Sequence, residues 1–177
     1  MRLLIVLVHC VVLLIASPAT RAQSDTLLEV DTGRKLGDAP VLLRAIVVKP
    51  AQPSTSAILY FSGNPGYMMI RSLADKARNL GWVGKGESLL MHAGITLVMV
   101  DCPTDQWGDT PRPPATRCLG DYRASPEHAD DVRRLMARLR EDHKLTEFYV
   151  LGHSIGTISS RWLAIHLGKD EIAGSIH

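Results

Sequence analysis

Neither sign of charge is in surplus in this chain. It holds 20 Lys+Arg against 18 Asp+Glu, a formal +2, which gives no footing for nucleic acid or an acidic membrane surface as partner. Cysteine is scarce, at 3, and the 7 histidines are scattered, so no cluster has the ligand spacing of a metal site and no cofactor is implied. There is no internal repeat. Nor is there a long apolar run: Leu3 to Ala16 falls short of the about 20 residues that a bilayer-spanning helix needs. With Arg2 before it and Ser17-Pro18-Ala19-Thr20-Arg21-Ala22 after it, that run reads as a secretory signal peptide cleaved after Ala22; a retained anchor is the alternative. Cys10 follows His9 rather than a small residue, which argues against a lipoprotein cysteine.

Residues 1–22 are therefore set aside as a leader. Residues 23–177 have the length of one domain, exported to a periplasmic or extracellular space. Without Arg2 and Arg21 the basic residues only equal the 18 acidic ones. Cys102 and Cys118 are then the two cysteines left, and an oxidising compartment permits them to pair; two free thiols remain the alternative. Nothing in the sequence indicates stable membrane insertion after cleavage, and the oligomeric state is unmarked.

What is present is an alternation of strands and helices. Leu27 to Val30 and Val41 to Val48 read as strands around a polar turn region, Gly33 to Pro40. Ala57 to Phe61 and Ile95 to Val100 are short, apolar on both faces and rich in β-branched or aromatic residues, as strands buried in a parallel sheet are. Ser72 to Leu80 and Glu87 to His92 read as helical pieces. Pro103 to Ala124 is a long Pro-rich loop, of a length that suggests a functional or disulfide-held segment. Ser125 caps the next helix with Pro126 in its first turn, and Val132, Leu135, Met136 and Leu139 form an apolar stripe. Asp130, Asp131, Arg133 and Arg134 are expected to face water. Glu147 to Leu151 is a strand, a helix runs on to about Leu167, and Ile172 to Ile176 begins another strand. This order implies a mostly parallel sheet with helices on both faces and an antiparallel pair leading it.

The chemistry concentrates at Gly152-His153-Ser154-Ile155-Gly156, between the strand ending at Leu151 and the helix after it. A sharp strand-to-helix turn can hold Ser154 in a strained conformation with its hydroxyl exposed above the sheet. Gly152 and Gly156 would be needed because a Cβ at either flank would strike the neighbouring strand or helix. The Ile155 N–H, at the helix N-terminus, suits developing negative charge. Ser62-Gly63-Asn64-Pro65-Gly66 ends the strand expected to lie beside this one, and Asn64 is the candidate for a second oxyanion N–H. An ordinary Gly-rich turn is the alternative at each place.

On these residues the chain resembles the α/β-hydrolase fold family from about Thr26 onward. Gly152 to Gly156 matches the nucleophile elbow. Phe61 to Gly66 looks like the family's H-G-x-P-G turn with Ser62 in place of histidine, and Val100-Asp101-Cys102-Pro103 resembles the end of the next strand. Val100 to Gly108, Arg123-Ala124-Ser125 and His128-Ala129-Asp130 also look like a group of exported bacterial hydrolases without assigned substrate. The resemblance implies an α/β fold, with Ser154 as nucleophile acting on a small acyl substrate, an ester before an amide. It also implies an order of nucleophile, acid, histidine. One further strand–helix–strand unit takes about 30 residues, so the acid, the histidine and the C-terminal part of the fold are expected beyond residue 177. His92, His128, His143 and His166 read as surface or helix-end side chains, His153 is pinned in the elbow, and His177 falls in the last strand. A reading of another class is a secreted binding or structural module that keeps part of the fold without the chemistry.

Overall fold

The computed structural model describes residues 24–81, 83–107 and 118–177. The leader at 1–22 and the middle of the Pro-rich segment lie outside the described residues. Six strands form one sheet: β1 (Ser24–Leu36), β2 (Ala39–Lys49), β3 (Ser56–Phe61), β4 (Thr96–Val100), β5 (Glu147–Gly152) and β6 (Gly174–Ile176). Their order across the sheet is β1-β2-β4-β3-β5-β6. β1 pairs antiparallel with β2 and β2 antiparallel with β4, whereas β4, β3, β5 and β6 run parallel. The helices are α1 (Asp75–Asn79), α2 (Gly84–His92), α3 (Gly120–Arg123), α4 (Pro126–His143) and α5 (Gly156–Leu167).

Alternate residues of the central strands feed two cores, as the two-residue side-chain period of a strand requires. Ala57, Leu59 and Phe61 of β3 join Val98 and Val100 of β4 and Phe148 and Val150 of β5 against α4 and α5. Ile58 and Tyr60 join Leu97 and Met99 against Met68, Ile70, Val83 and Leu90 on the other face. Helices thus cover both faces. The stripe Val132, Leu135, Met136, Leu139 is fully buried, and the Ser125 side chain accepts the His128 N–H at 3.1 Å to cap α4.

Several expectations are corrected by long-range contacts. The span 33–40 is strand except for a tight turn at Gly37-Asp38, where Gly37 has φ of 62°. The polar residues there belong to an edge ribbon, and the Thr32 hydroxyl bonds Val41 O across it at 2.9 Å. α1 is only a turn and a half, because the Asp75 carboxylate takes the Arg71 and Ser72 N–H groups and starts the helix there. α2 starts ahead of Glu87, at Gly84. The Pro-rich segment holds a 3-10 turn, Thr104–Gln106, and α3. Asp131 does not face water. It is buried, receives both Nη atoms of Arg34 at 2.8 and 2.9 Å and the Tyr122 hydroxyl at 2.7 Å, and so pins the β1 ribbon to α4.

His128 is also no surface histidine. Its ring lies between Phe61 and Tyr122, with centroids at 5.5 and 5.0 Å. Neither ring nitrogen has a hydrogen-bond partner among the described residues. Burial, helped by the positive Arg123, lowers its pKa to about 3. The unfolded chain takes up a proton near pH 6.5 that the folded chain refuses. Stability from this site is therefore complete above about pH 6.5 and drains away as pH falls toward 3. Between pH 7 and pH 4 the loss should be roughly 3 kcal/mol. Urea midpoints of the wild type should fall over that interval, and those of His128→Phe should fall much less. Equal acid sensitivity in both proteins would show that His128 does not stay neutral in the fold.

Candidate active site

β3, β4 and β5 end at Phe61, Val100 and Gly152 on one edge of the sheet, the carboxyl ends where parallel strands place their sites. Ser154 follows β5 and precedes α5. It is exposed, with φ of 53°, a left-handed conformation that costs a non-glycine residue roughly 1–3 kcal/mol. The two glycines flanking it are required by space. A Cβ on Gly152 would run into the Gly156 carbonyl and stand 2.6 Å from Ser160 Oγ, and one on Gly156 would run into Phe61 O. The His153 N–H continues the pairing with β3 by donating to Phe61 O at 3.1 Å. Sheet and elbow are thus in direct backbone contact.

Residues 63–66 form a turn closed by the Gly66 N–H donating to Gly63 O at 2.8 Å, with a cis Asn64–Pro65 peptide. This turn abuts the serine: a Cβ on Gly63 would lie 3.1 Å from Ser154 Cβ. Asn64, Ser154 and His153 line one cleft of about 460 Å³ together with Tyr60, Tyr67 and Met68. Ile155 occupies the N-cap of α5. Among the described residues, no other group accepts the N–H of Asn64 or Ile155. A larger groove, about 670 Å³, lies at the opposite end of the strands between Lys49 and Lys144.

Next to the turn lies a buried charge network that no local pattern in the sequence foretold. Arg123 is only 2% exposed. Its Nε donates to Cys118 O at 2.8 Å, its Nη1 to Ser159 Oγ at 2.6 Å, and its Nη2 to Gly66 O at 2.5 Å and Ser62 O at 3.4 Å. Burial lowers its pKa to about 10, still cationic at neutral pH. Asp101, also buried, accepts the N–H groups of Met68, Ile70 and Cys102 at 2.6 to 2.7 Å. Burial raises its carboxyl to about 6 against the pull of those donors and of Arg123. Besides Ser154, Met69 and Cys118 also have positive φ, 51° and 44°. Both sit inside this network, with Met69 between two N–H groups that Asp101 takes. Asp101 was marked in the sequence by its place after β4 and by the resemblance there; Arg123 appeared only within the Arg123-Ala124-Ser125 likeness, at the end of a segment read as loop, with nothing to show that it would be buried.

Cys102 and Cys118 are joined in a disulfide with Cα atoms 6.2 Å apart, packed with Trp107 and Tyr122. A Cβ on Gly66 would stand 2.6 Å from the Cys118 carbonyl oxygen, so the bridged segment packs closely against the turn. Three histidines are engaged away from Ser154: His128 is buried between rings, His166 stacks on Trp162, and His177, just past β6, bonds Ser160 and Ser175 at 2.8 and 3.0 Å. Among the described residues there is no group of three or more His, Cys, Asp and Glu that could hold a metal, and no helix long and apolar enough to cross a membrane.

No protein-family model matches the chain, and no curated protein does. Solved structures do. An esterase from Pyrococcus furiosus superposes with TM-score 0.53 at 15% identity, over 86% of this chain and 50% of that one. A carboxyl esterase from Bacillus coagulans gives 0.53 at 15%, over 89% and 44%. A lipase in its open form gives 0.51 at 18%, over 83% and 42%. The chain spans about half the length of these structures, and at such identities the likeness is one of fold.

The bridge yields a direct check. In the protein lacking residues 1–22, thiol titration under denaturing, non-reducing conditions should find no free thiol, and two would remove the clamp on the turn. Reduction should lower stability by roughly 3 kcal/mol, the chain-entropy value for a loop of about 15 residues.

Proposed function

We propose that this chain, whose fold is that of the α/β-hydrolases, is the nucleophile-bearing part of a serine hydrolase that cleaves carboxylic esters, and amides less readily. The observation that carries the reading is Ser154 itself: a non-glycine residue at φ 53°, exposed, with its flanking glycines packed too closely for any side chain. Strain of this kind persists only where the surroundings impose it, and it concentrates at sites of chemistry. The likeness to esterases and a lipase supports the same reaction class.

In the proposed reaction Ser154 Oγ bonds to the acyl carbon while its proton passes to a histidine base. The carbonyl π electrons move onto oxygen, and the oxyanion is held by the N–H groups of Asn64 and Ile155. Collapse breaks the ester C–O bond, and the departing alcohol takes the proton from the histidine. Water then hydrolyses the acyl-enzyme by the same steps in reverse, returning Ser154 and releasing the acid. The base and its acid partner are supplied from outside the described residues, beyond residue 177 in the order the fold implies. The protein acts after export, a role that suits the disulfide.

A fluorophosphonate probe should label the full-length protein at Ser154 and leave Ser154→Ala unlabelled. Turnover of p-nitrophenyl butyrate should fall by about 10⁴- to 10⁶-fold in the variant. Labelling that persists in Ser154→Ala would place the nucleophile elsewhere. A full-length protein with neither labelling nor turnover would leave a fold kept without its chemistry.

A further inference from the structure

We infer that Arg123 is a positioning residue, whose guanidinium sets turn 62–66 against the elbow and thereby fixes the oxyanion geometry above Ser154. This rests on Ser154 being the nucleophile, but the geometric part stands without it. One planar group touches three separate pieces of backbone and side chain at once. Nη2 reaches Gly66 O and Ser62 O, the two ends of the turn that carries Asn64. Nη1 reaches Ser159, one turn into α5, the helix whose N-cap is Ile155. Nε reaches Cys118 O, fixed in turn by the bridge to Cys102 at the end of β4. The two proposed oxyanion donors thus stand on segments that share one rigid fork.

The chemistry of the fork matters. A guanidinium presents donors in fixed directions within a plane, whereas an ammonium offers one rotatable point charge. Lysine at 123 could keep the charge that faces Asp101, but it could not hold Ser159, Cys118 and the turn together. The nearby carboxylate completes the arrangement: Arg123 holds carbonyls at 62 and 66, and Asp101 holds amides at 68 and 70. Carbonyls and amides of one loop are each met by the charge that suits them. The Arg123 charge also lies within range of His128, whose neutral state it favours. Yet nothing in that contact needs a fork; the turn does.

The full-length wild type is compared with Arg123→Lys, Arg123→Met and Ser159→Ala, with Leu135→Ala as a variant that loosens the α4 core without removing any partner of Arg123. Hydrogen exchange reads the geometry. Amides of residues 63–70 should lose at least tenfold in protection in both Arg123 variants, and less in Ser159→Ala, while β3 and β5 keep theirs. In Leu135→Ala, exchange should rise across the sheet and α4 with no focus at 63–70. Turnover of p-nitrophenyl butyrate reads the consequence. In Arg123→Lys, kcat should drop about 10²- to 10³-fold, the scale for losing one oxyanion donor, with KM within about threefold of wild type; Leu135→Ala should keep kcat while folded. Protection at 63–70 unchanged in Arg123→Lys, or a loss spread evenly as in Leu135→Ala, would overturn the inference. So would wild-type kcat in an Arg123→Lys protein whose turn has loosened. If the wild type shows no Ser154-dependent turnover, the hydrolase reading fails, and the exchange pattern alone decides whether Arg123 sets the turn.

Discussion

Two opposite charges, taken out of water and placed on either side of one loop, are the constraint on which this site depends. Moving an ion from water into a protein interior costs several kcal/mol even after relaxation. Arg123 and Asp101 offset that cost by meeting backbone groups that would otherwise be buried unpaired: the carbonyls of Ser62, Gly66 and Cys118, and the amides of Met68, Ile70 and Cys102. The arrangement is all-or-none in character. Remove either ion and the other is left buried without its complement, along with a set of stranded peptide groups. Such a network rigidifies the loop because every alternative conformation forfeits several hydrogen bonds together.

The elbow adds a steric constraint of a different kind. Gly152 and Gly156 let β5 and α5 approach the end of β3 so closely that no side chain fits between them. That closeness brings Ser154 beside Gly63 and puts the start of α5 over the strand ends. The parallel pairing of β3 with β5 makes it possible, since both strands then end on the same edge. The strain at Ser154, Met69 and Cys118 is absorbed by these contacts rather than relieved. Stored strain and close approach are the same feature seen from two sides.

Farther from the site, the edge ribbon and the long helix are joined by Arg34, Asp131 and Tyr122, an ion pair with an added hydroxyl. α4 is tied to the last turn of α5 and to the chain after it by Arg133, which reaches both the His166 carbonyl and Glu171. These contacts hold the layers in register without touching the cleft. They explain why a helix with many charges does not show all of them to water.

How much of this was legible in the sequence divides along the range of the forces involved. Strand cores such as Ala57–Phe61 and Ile95–Val100, the Ser125 cap with its apolar stripe, and the glycine-flanked Ser154 all follow from local rules. Side-chain period, capping geometry and turn sterics act within a few residues, so the sequence alone determined the order of the central strands and the long helices, the α/β class and the place of the strand-to-helix turn. Whether a charged or titratable residue is buried follows from no local rule. Arg34 finds Asp131 across 97 positions and Arg123 finds Ser62 across 61; His128 resists protonation because Phe61 and Tyr122 close over it and Arg123 stands near. Only the tertiary structure decided those states, because desolvation depends on which distant segments arrive, and the pattern of neighbours along the chain does not encode that arrival.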